Sequence, residues 1–267
     1  MPRYLSARYV LAAAVALIAP AIAHAAFVPV ALTPGSYNHD GVVEATAVND
    51  ATTHYSTNIT ATMDNGTGKA GGVWYQQGLN TGAPTTGLPA GGLVSANDPT
   101  VSYTLQPFTS NNVRMLDSAN TPGTLTLSVP TRYSALSFLT ASGNGTGTIT
   151  ATIHFSDANP NVTGLVVTSP DWFNATPIAL NSNGRVTASS GNFDNVNAGN
   201  PRLYEEDITL PAGTSDHPIS SIDLSFSGSG ADTHSMIFAL SGTPVPEPAT
   251  LGLLGVATIA LVRRNRR

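Results

Sequence analysis

Three consecutive carboxylates, Glu205-Glu206-Asp207, are the residues of this sequence whose types and spacing could do the most chemistry. Two carboxylates that face each other across a sugar can hydrolyse a glycosidic bond. Alternate side chains share one face of a strand, so Glu205 and Asp207 could act together while Glu206 points away. They lie only one strand step apart, however, and nothing in the sequence suggests a raised pKa. A solvated strand face or a charge-protected edge strand is the favoured interpretation, and an extracellular glycoside hydrolase is kept as an alternative.

Other residue types that could act as nucleophiles or bind metals do not form a catalytic pattern. The chain has no cysteine, which excludes thiolate zinc sites and cysteine nucleophiles. No serine lies in a Gly-x-Ser-x-Gly elbow. The histidines of the central region show neither HExxH spacing nor a close pair; they are His39, His54, His154, His217 and His234. We predict no catalytic residue, no metal centre and no cofactor.

Structural calcium stays open as an alternative, because calcium takes oxygen ligands from Asp, Asn and backbone carbonyls. Three fragments offer such ligands: Asp64-Asn65-Gly66, Asp157-Ala158-Asn159 and Asp194-Asn195. None of them matches an EF-hand loop. Asp and Asn are also common in turns that hold no ion.

Two aromatic pairs could stack on a sugar ring: Trp74-Tyr75 and Trp172-Phe173. On a strand, alternation would bury one ring of each pair and expose the other. Core packing is the expected role for at least one member of each pair. A carbohydrate-binding module with Trp74, Tyr75 and Trp172 as possible sugar contacts is kept as an alternative, and exposure of Trp74 and Trp172 on a common concave face would favour it.

Charge excludes other partners. The region between residues 26 and 243 contains five basic and fifteen acidic residues. Nucleic-acid binding depends on Lys and Arg that neutralise phosphates, so we exclude it. The same excess of acid disfavours binding to an anionic membrane surface.

The elements that must position these residues are short strands. Apolar and polar residues alternate in several runs, which indicates strands with one buried and one wet face. Turn signals such as Asp64-Asn65-Gly66 and Pro211-Ala212-Gly213 separate the runs. Residues 78–99, rich in Gly and Pro, predict a long loop. We predict an all-β, antiparallel, jelly-roll-like β-sandwich over residues 26–243, with strands in residues 55–63, 101–105, 125–129, 148–155, 208–210, 219–226 and 236–240.

The last residues of the chain form a tripartite tail. Val245, Pro246, Glu247 and Pro248 are followed by an uncharged stretch, residues 249–262. The prolines keep the start of the tail extended. Four arginines then hold the C-terminal tip on the cytoplasmic side: Arg263, Arg264, Arg266 and Arg267.

This tail, residues 244–267, closely resembles the PEP-CTERM sorting signal of Gram-negative bacteria. The resemblance implies that an exosortase recognises the Pro-Glu-Pro motif. It also implies that the uncharged stretch, residues 249–262, is a transmembrane helix that serves only as a transient anchor. Processing is then expected near residues 245–248.

The N-terminus carries a second signal. Arg3 and Arg8 form a basic region, residues 10–19 an apolar one, and Ala23-His24-Ala25 a cleavage site. We therefore predict a signal peptide over residues 1–25, cut by signal peptidase after Ala25, with a cut after Ala23 as the alternative.

The central body also resembles a group of PEP-CTERM-tailed exported proteins over residues 37–242. The matching phrases are Leu105-Gln106-Pro107-Phe108, Gly123-Thr124-Leu125-Thr126-Leu127, Tyr133-Ser134-Ala135-Leu136, Ser142-Gly143-Asn144-Gly145, Asp171-Trp172-Phe173 and Pro201-Arg202-Leu203-Tyr204-Glu205. The resemblance implies a β-sandwich similar to carbohydrate-binding modules and no known activity. The sequence as a whole predicts a non-catalytic protein exported across the inner membrane to the cell surface or extracellular matrix, with exopolysaccharide as a candidate partner.

Overall fold

The structure, a computed structural model, describes residues 26–79, 87–173, 175–194 and 199–245. About half of the chain is strand, and the described residues contain no α-helix, only a 3-10 turn at Pro34–Ser36. This confirms the predicted all-β antiparallel fold. The predicted signal peptide and the tail from Pro246 onward lie outside the described residues. In chain order the strands are β1 Val28–Pro29, β2 Val42–Val43, β3 Gly72–Tyr75, β4 Gly92–Val94, β5 Ser102–Thr104, β6 Arg114–Leu116, β7 Gly123–Thr131, β8 Tyr133–Gly143, β9 Gly147–Phe155, β10 Val162–Ser169, β11 Ile178–Asn181, β12 Arg185–Thr187, β13 Phe193–Asp194, β14 Arg202–Thr209, β15 Ile219–Gly228 and β16 His234–Pro244.

Two antiparallel sheets form the sandwich. The larger has the order β1-β16-β8-β14-β11, with β6 also paired to β16, and the smaller has the order β10-β9-β15-β7. Strand β9 shows how the sequence builds it: Ile149, Ala151 and Ile153 are buried and the residues between them are more exposed. These side chains meet Leu136, Phe138 and Leu240 from the larger sheet in one core.

A third layer covers the outer face of the larger sheet. It is a small sheet of order β13-β12-β3-β2, in which β2 and β3 are parallel. Trp74 and Val42 from this layer pack with Leu139 and Phe238 in a second core. Strands β8 and β16 are therefore buried on both faces along most of their length.

Two predictions of secondary structure need correction, one of a strand and one of a loop. Residues 55–63 form turns rather than a strand, although Tyr55, Ile59 and Met63 are buried. Their alternation comes from loop side chains that pack on the third layer, while the backbone bonds locally, as in Asn58 N–H to the Tyr55 carbonyl (3.0 Å). The predicted loop at residues 78–99 contains β4, which pairs with β5.

The described chain enters and leaves at the same end of the larger sheet. In the antiparallel pair β1–β16, Val28 lies opposite Gly242. The residues before Val28 and those after Gly242 therefore extend in the same direction. At that end the Val245 N–H donates to the Arg132 carbonyl at 3.0 Å.

Candidate functional site

The three predicted carboxylates lie on β14, beside β8. Glu205 is only 5% exposed and lies beneath the loop that follows β4. Its Oε1 accepts a hydrogen bond from Asn97 Nδ2 at 3.0 Å. Its Oε2 is buried without a hydrogen-bond partner. The interpretation of this segment as a solvated strand face is therefore wrong for Glu205.

The pKa of each of these carboxyls is raised, contrary to the sequence expectation. Burial is the largest cause for Glu205, opposed by hydrogen bonds from Ser95 and Asn97. Burial also raises the pKa of Glu206 to about 7, with the charges of Asp207 and Glu205 adding to it. The pKa of Asp207 is raised for the same main reason. The cluster thus resists carrying its full negative charge.

This geometry differs from that of a glycosidase pair. Glu205 and Asp207 share one face of a single strand, and the Asn97 loop covers Glu205. Neither of the two clefts described below is lined by Glu205, Glu206 or Asp207.

The structure corrects the aromatic prediction. Trp74 and Tyr75 are completely buried and Trp172 is 2% exposed, because the third layer and its loops close over them. The Trp74 and Trp172 rings meet edge to face at 5.7 Å between centroids. The Tyr75 hydroxyl donates to the Ser182 carbonyl at 3.1 Å. A platform of exposed rings at these positions is wrong, since a sugar cannot reach them.

Arg185 explains part of this packing, and no sequence motif marked it. Its guanidinium carbon lies 5.3 Å from the centre of the Trp172 ring. Its Nη1 donates to Asp64 Oδ1 at 2.8 Å, and its Nε donates to Asp194 Oδ2 at 3.3 Å. A carboxylate from two of the three calcium fragments therefore already contacts a cation.

The third calcium fragment lies elsewhere, where Asp157 Oδ2 is 2.8 Å from His217 Nδ1. Among the described residues no three His, Asp or Glu side chains come together in a way that could hold a metal ion.

A cleft of about 460 Å³ opens beside the start of β16. Asp64, Asp117, Asn144 and Asp232 contribute to its lining. His234 forms part of its wall, with Nδ1 3.1 Å from the Asp232 carbonyl and Nε2 3.1 Å from the Thr62 carbonyl. These contacts hold the Thr62 loop against β16, so the histidine has a structural role.

A second cleft, of about 340 Å³, contains two acids that the sequence did not single out. Buried Asp40 accepts from Asn112 Nδ2 at 2.5 Å, and burial raises its pKa to about 7. Glu44 Oε1 accepts from Asn58 Nδ2 at 3.2 Å, whereas its Oε2 is buried without a hydrogen-bond partner. The rest of the lining contains one cation, one apolar side chain and several hydroxyls and amides: Lys69, Ile59, Thr57, Asn58, Thr60, Thr109, Ser110 and Asn111. Asp40 and Glu44 belong to no acidic run or known motif in the sequence, so the sequence pattern did not identify them.

The tail begins where the larger sheet ends. Pro244 is the last residue of β16 and pairs with Tyr133. Residues 244–267 match the family model of the PEP-CTERM protein-sorting motif. This PEP-CTERM motif confirms the predicted tail. It means that the protein is exported, is processed by an exosortase and has an envelope or surface location.

The PEP-CTERM match covers the tail alone, and no curated protein matches the chain. Of the predicted sorting residues, Val245 lies in the described part of the chain. Pro246, Glu247, Pro248 and the four terminal arginines lie outside it. Within the described residues no helix is long and apolar enough to cross a membrane, and the stretch predicted to do so, residues 249–262, is not among them.

Proposed function

We propose that this protein is a non-catalytic component of the cell surface or extracellular matrix, released or attached there once exosortase removes its tail. The observation that carries the proposal is the PEP-CTERM match, which begins at the last residue of the folded β-sandwich. The covering of Glu205 by the Asn97 loop supports a role without hydrolysis at the carboxylates of β14.

The tail acts as a transient anchor. If residues 249–262 form a helix, as their sequence predicts, it would span about 21 Å, which is shorter than the roughly 30 Å hydrocarbon core. Glu247 is thereby held at the membrane surface, within reach of a membrane-embedded enzyme. The terminal arginines resist being pulled into the bilayer, each at about 2.5–3.5 kcal/mol.

Processing breaks one peptide bond near residues 245–248. The carbonyl carbon on the body side forms a new bond with the oxygen of water, which releases the protein, or with the nitrogen of an amine at the surface, which attaches it. The new amino terminus leaves with the tail. In both cases the mature protein keeps no membrane helix, as in GPI signals.

The test is Glu247→Ala, with Thr250→Ala as a control in the same tail but outside the Pro-Glu-Pro motif. We expect Glu247→Ala to retain the full tail and stay at the inner membrane, and Thr250→Ala to be processed like the wild type. Intact-mass analysis of fractionated cells measures both. Wild-type protein at the surface with Arg267 still attached would contradict the proposal.

A second candidate function is saccharide binding in the cleft of Asp40 and Glu44. The observation that favours it is the polar lining of this cleft, where Asp40, Glu44 and Lys69 lie among hydroxyls and amides that could exchange hydrogen bonds with sugar hydroxyls. Exopolysaccharide of the producing cell is the candidate ligand.

We expect Glu44→Gln to weaken retention on an exopolysaccharide affinity column several-fold, because an amide is a poorer acceptor than a carboxylate. Glu206→Gln, outside both clefts, is the matched control. Equal retention of wild type and Glu44→Gln would exclude this cleft.

A further inference from the structure

The PEP-CTERM motif follows the folded body without a spacer. The family match begins at Pro244, the last residue of β16, and the Val245 N–H is still bonded to Arg132. Strand β16 pairs with β8 on one side and with β1 and β6 on the other. Its end therefore cannot be drawn out without breaking the larger sheet.

This attachment limits how far the processed bonds lie from the body. A fully extended chain advances at most about 3.6 Å per residue, so the peptide bonds on either side of Glu247 lie within about 10 Å of Val245. An enzyme that acts there must contact the surface around Val245. This step rests on the proposed processing by exosortase.

Two exposed apolar side chains flank that point. Val28 is 39% exposed and lies opposite Gly242, three residues before Val245. Val129 is 68% exposed and lies three residues before Arg132. We name the surface formed by Val28, Val129 and Arg132 the exit end.

We propose that the exit end docks on exosortase while the tail is processed. The short reach brings the enzyme to this surface, and the two valines give it an apolar contact. The enzyme is preferred to the bilayer as partner because the bonds that it processes lie within about 10 Å of Val245, so the enzyme itself has to reach this surface. The occupant is thus a protein surface of the processing enzyme.

The test compares Val28→Asp/Val129→Asp with a matched control, Val48→Asp/Val166→Asp. The control valines are 74% and 58% exposed and lie away from the exit end. Tail loss is followed by pulse-chase in cells that contain the enzyme. We expect processing to be several-fold slower in the exit-end variant and unchanged in the control. Processing at the wild-type rate in both variants would overturn the proposal.

A second pair of proteins separates docking from misfolding and from the bilayer. A flexible Gly/Ser linker of twelve residues is inserted between Thr243 and Pro244, ahead of the whole matched motif, in the wild type and in the exit-end variant. The linker frees the enzyme from the body, so we expect the two to be processed at equal rates. If the charged variant stays slow with the linker, the valines act through folding or the membrane and the proposal falls. If the wild type without the linker kept its tail in cells that contain the enzyme, that result would instead refute the proposed function.

Discussion

At the residue scale, the two buried carboxyls of the described chain, Asp40 and Glu205, and one oxygen of the partly buried Glu44 accept hydrogen bonds from amides rather than from cations. Asn97 donates to Glu205, Asn112 to Asp40 and Asn58 to Glu44. Basic residues are scarce, and Arg114 and Arg202 donate to backbone carbonyls. A neutral donor compensates a buried carboxylate less than a cation does, so burial prevails and the pKa of Asp40 and of Glu205 is raised.

Asp40 should therefore make the protein less stable as the pH rises. Its folded pKa of about 7 lies above the ordinary value of 3.8, so the folded state binds the proton more tightly than the unfolded state. Stability falls between about pH 4 and pH 7 and is level above that range. We expect Asp40→Asn to raise Tm by several degrees at pH 8 and hardly at pH 4, as measured by thermal unfolding. The asparagine can still accept from Asn112.

Other groups set the background of that experiment. The raised pKa values of Glu205, Glu206 and Asp207 also make stability fall as the pH rises. Part of the dependence of Tm on pH therefore remains in Asp40→Asn. Burial lowers the pKa of His39, which adds a slope of opposite sign below about pH 6.5. Asp50→Asn is the control, because the pKa of that exposed carboxyl is lowered, so its contribution to stability changes with pH only in acid and its removal leaves the slope between about pH 5 and pH 8 unchanged. Parallel pH profiles of wild type and Asp40→Asn would contradict the prediction.

At the element scale, alternation predicts strands that have one wet face, such as β9, and the apolar residues 236–240 also predict part of β16, which is buried on both faces. Strand β9 alternates and was predicted, whereas β8 is buried on both faces and lacks a period of two. The buried turns at residues 55–63 imitate alternation without being a strand. The site follows the same logic: Trp74 and Trp172 look like ligand contacts until a third layer, which no local pattern indicates, closes over them.

Gly143 at the end of β8 lies directly against the backbone of Met63. A Cβ at this position would overlap the Met63 carbonyl oxygen, which is backbone and cannot turn away. We expect Gly143→Ala to lower the free energy of unfolding by about 3 kcal/mol or more, as measured by urea denaturation. Gly92→Ala in β4 is the control, since a Cβ there meets nothing within 4 Å. Similar midpoints for the two variants would show that the Met63 loop is free to move.

At the scale of the whole molecule, β8 and β16 lie in the middle one of three layers of sheet, and one core lies on each side of them. The sequence predicts the sandwich because its outer strands carry the alternating pattern. It does not predict the third layer, since β2, β12 and β13 are two or three residues long and depend on contacts with distant segments. The tail could be predicted because its motif is local.

The central position of β16 also fixes the order of events during secretion. This strand is the last one to emerge from the export channel, yet β8, β1 and β6 all pair with it. The contact between Val28 and Gly242 joins residues near opposite ends of the body, and such distant pairings form slowly. The larger sheet therefore cannot close until nearly the whole body has been translocated. With residues 249–262 acting as the transient anchor proposed above, the chain would complete its fold while it is still tethered.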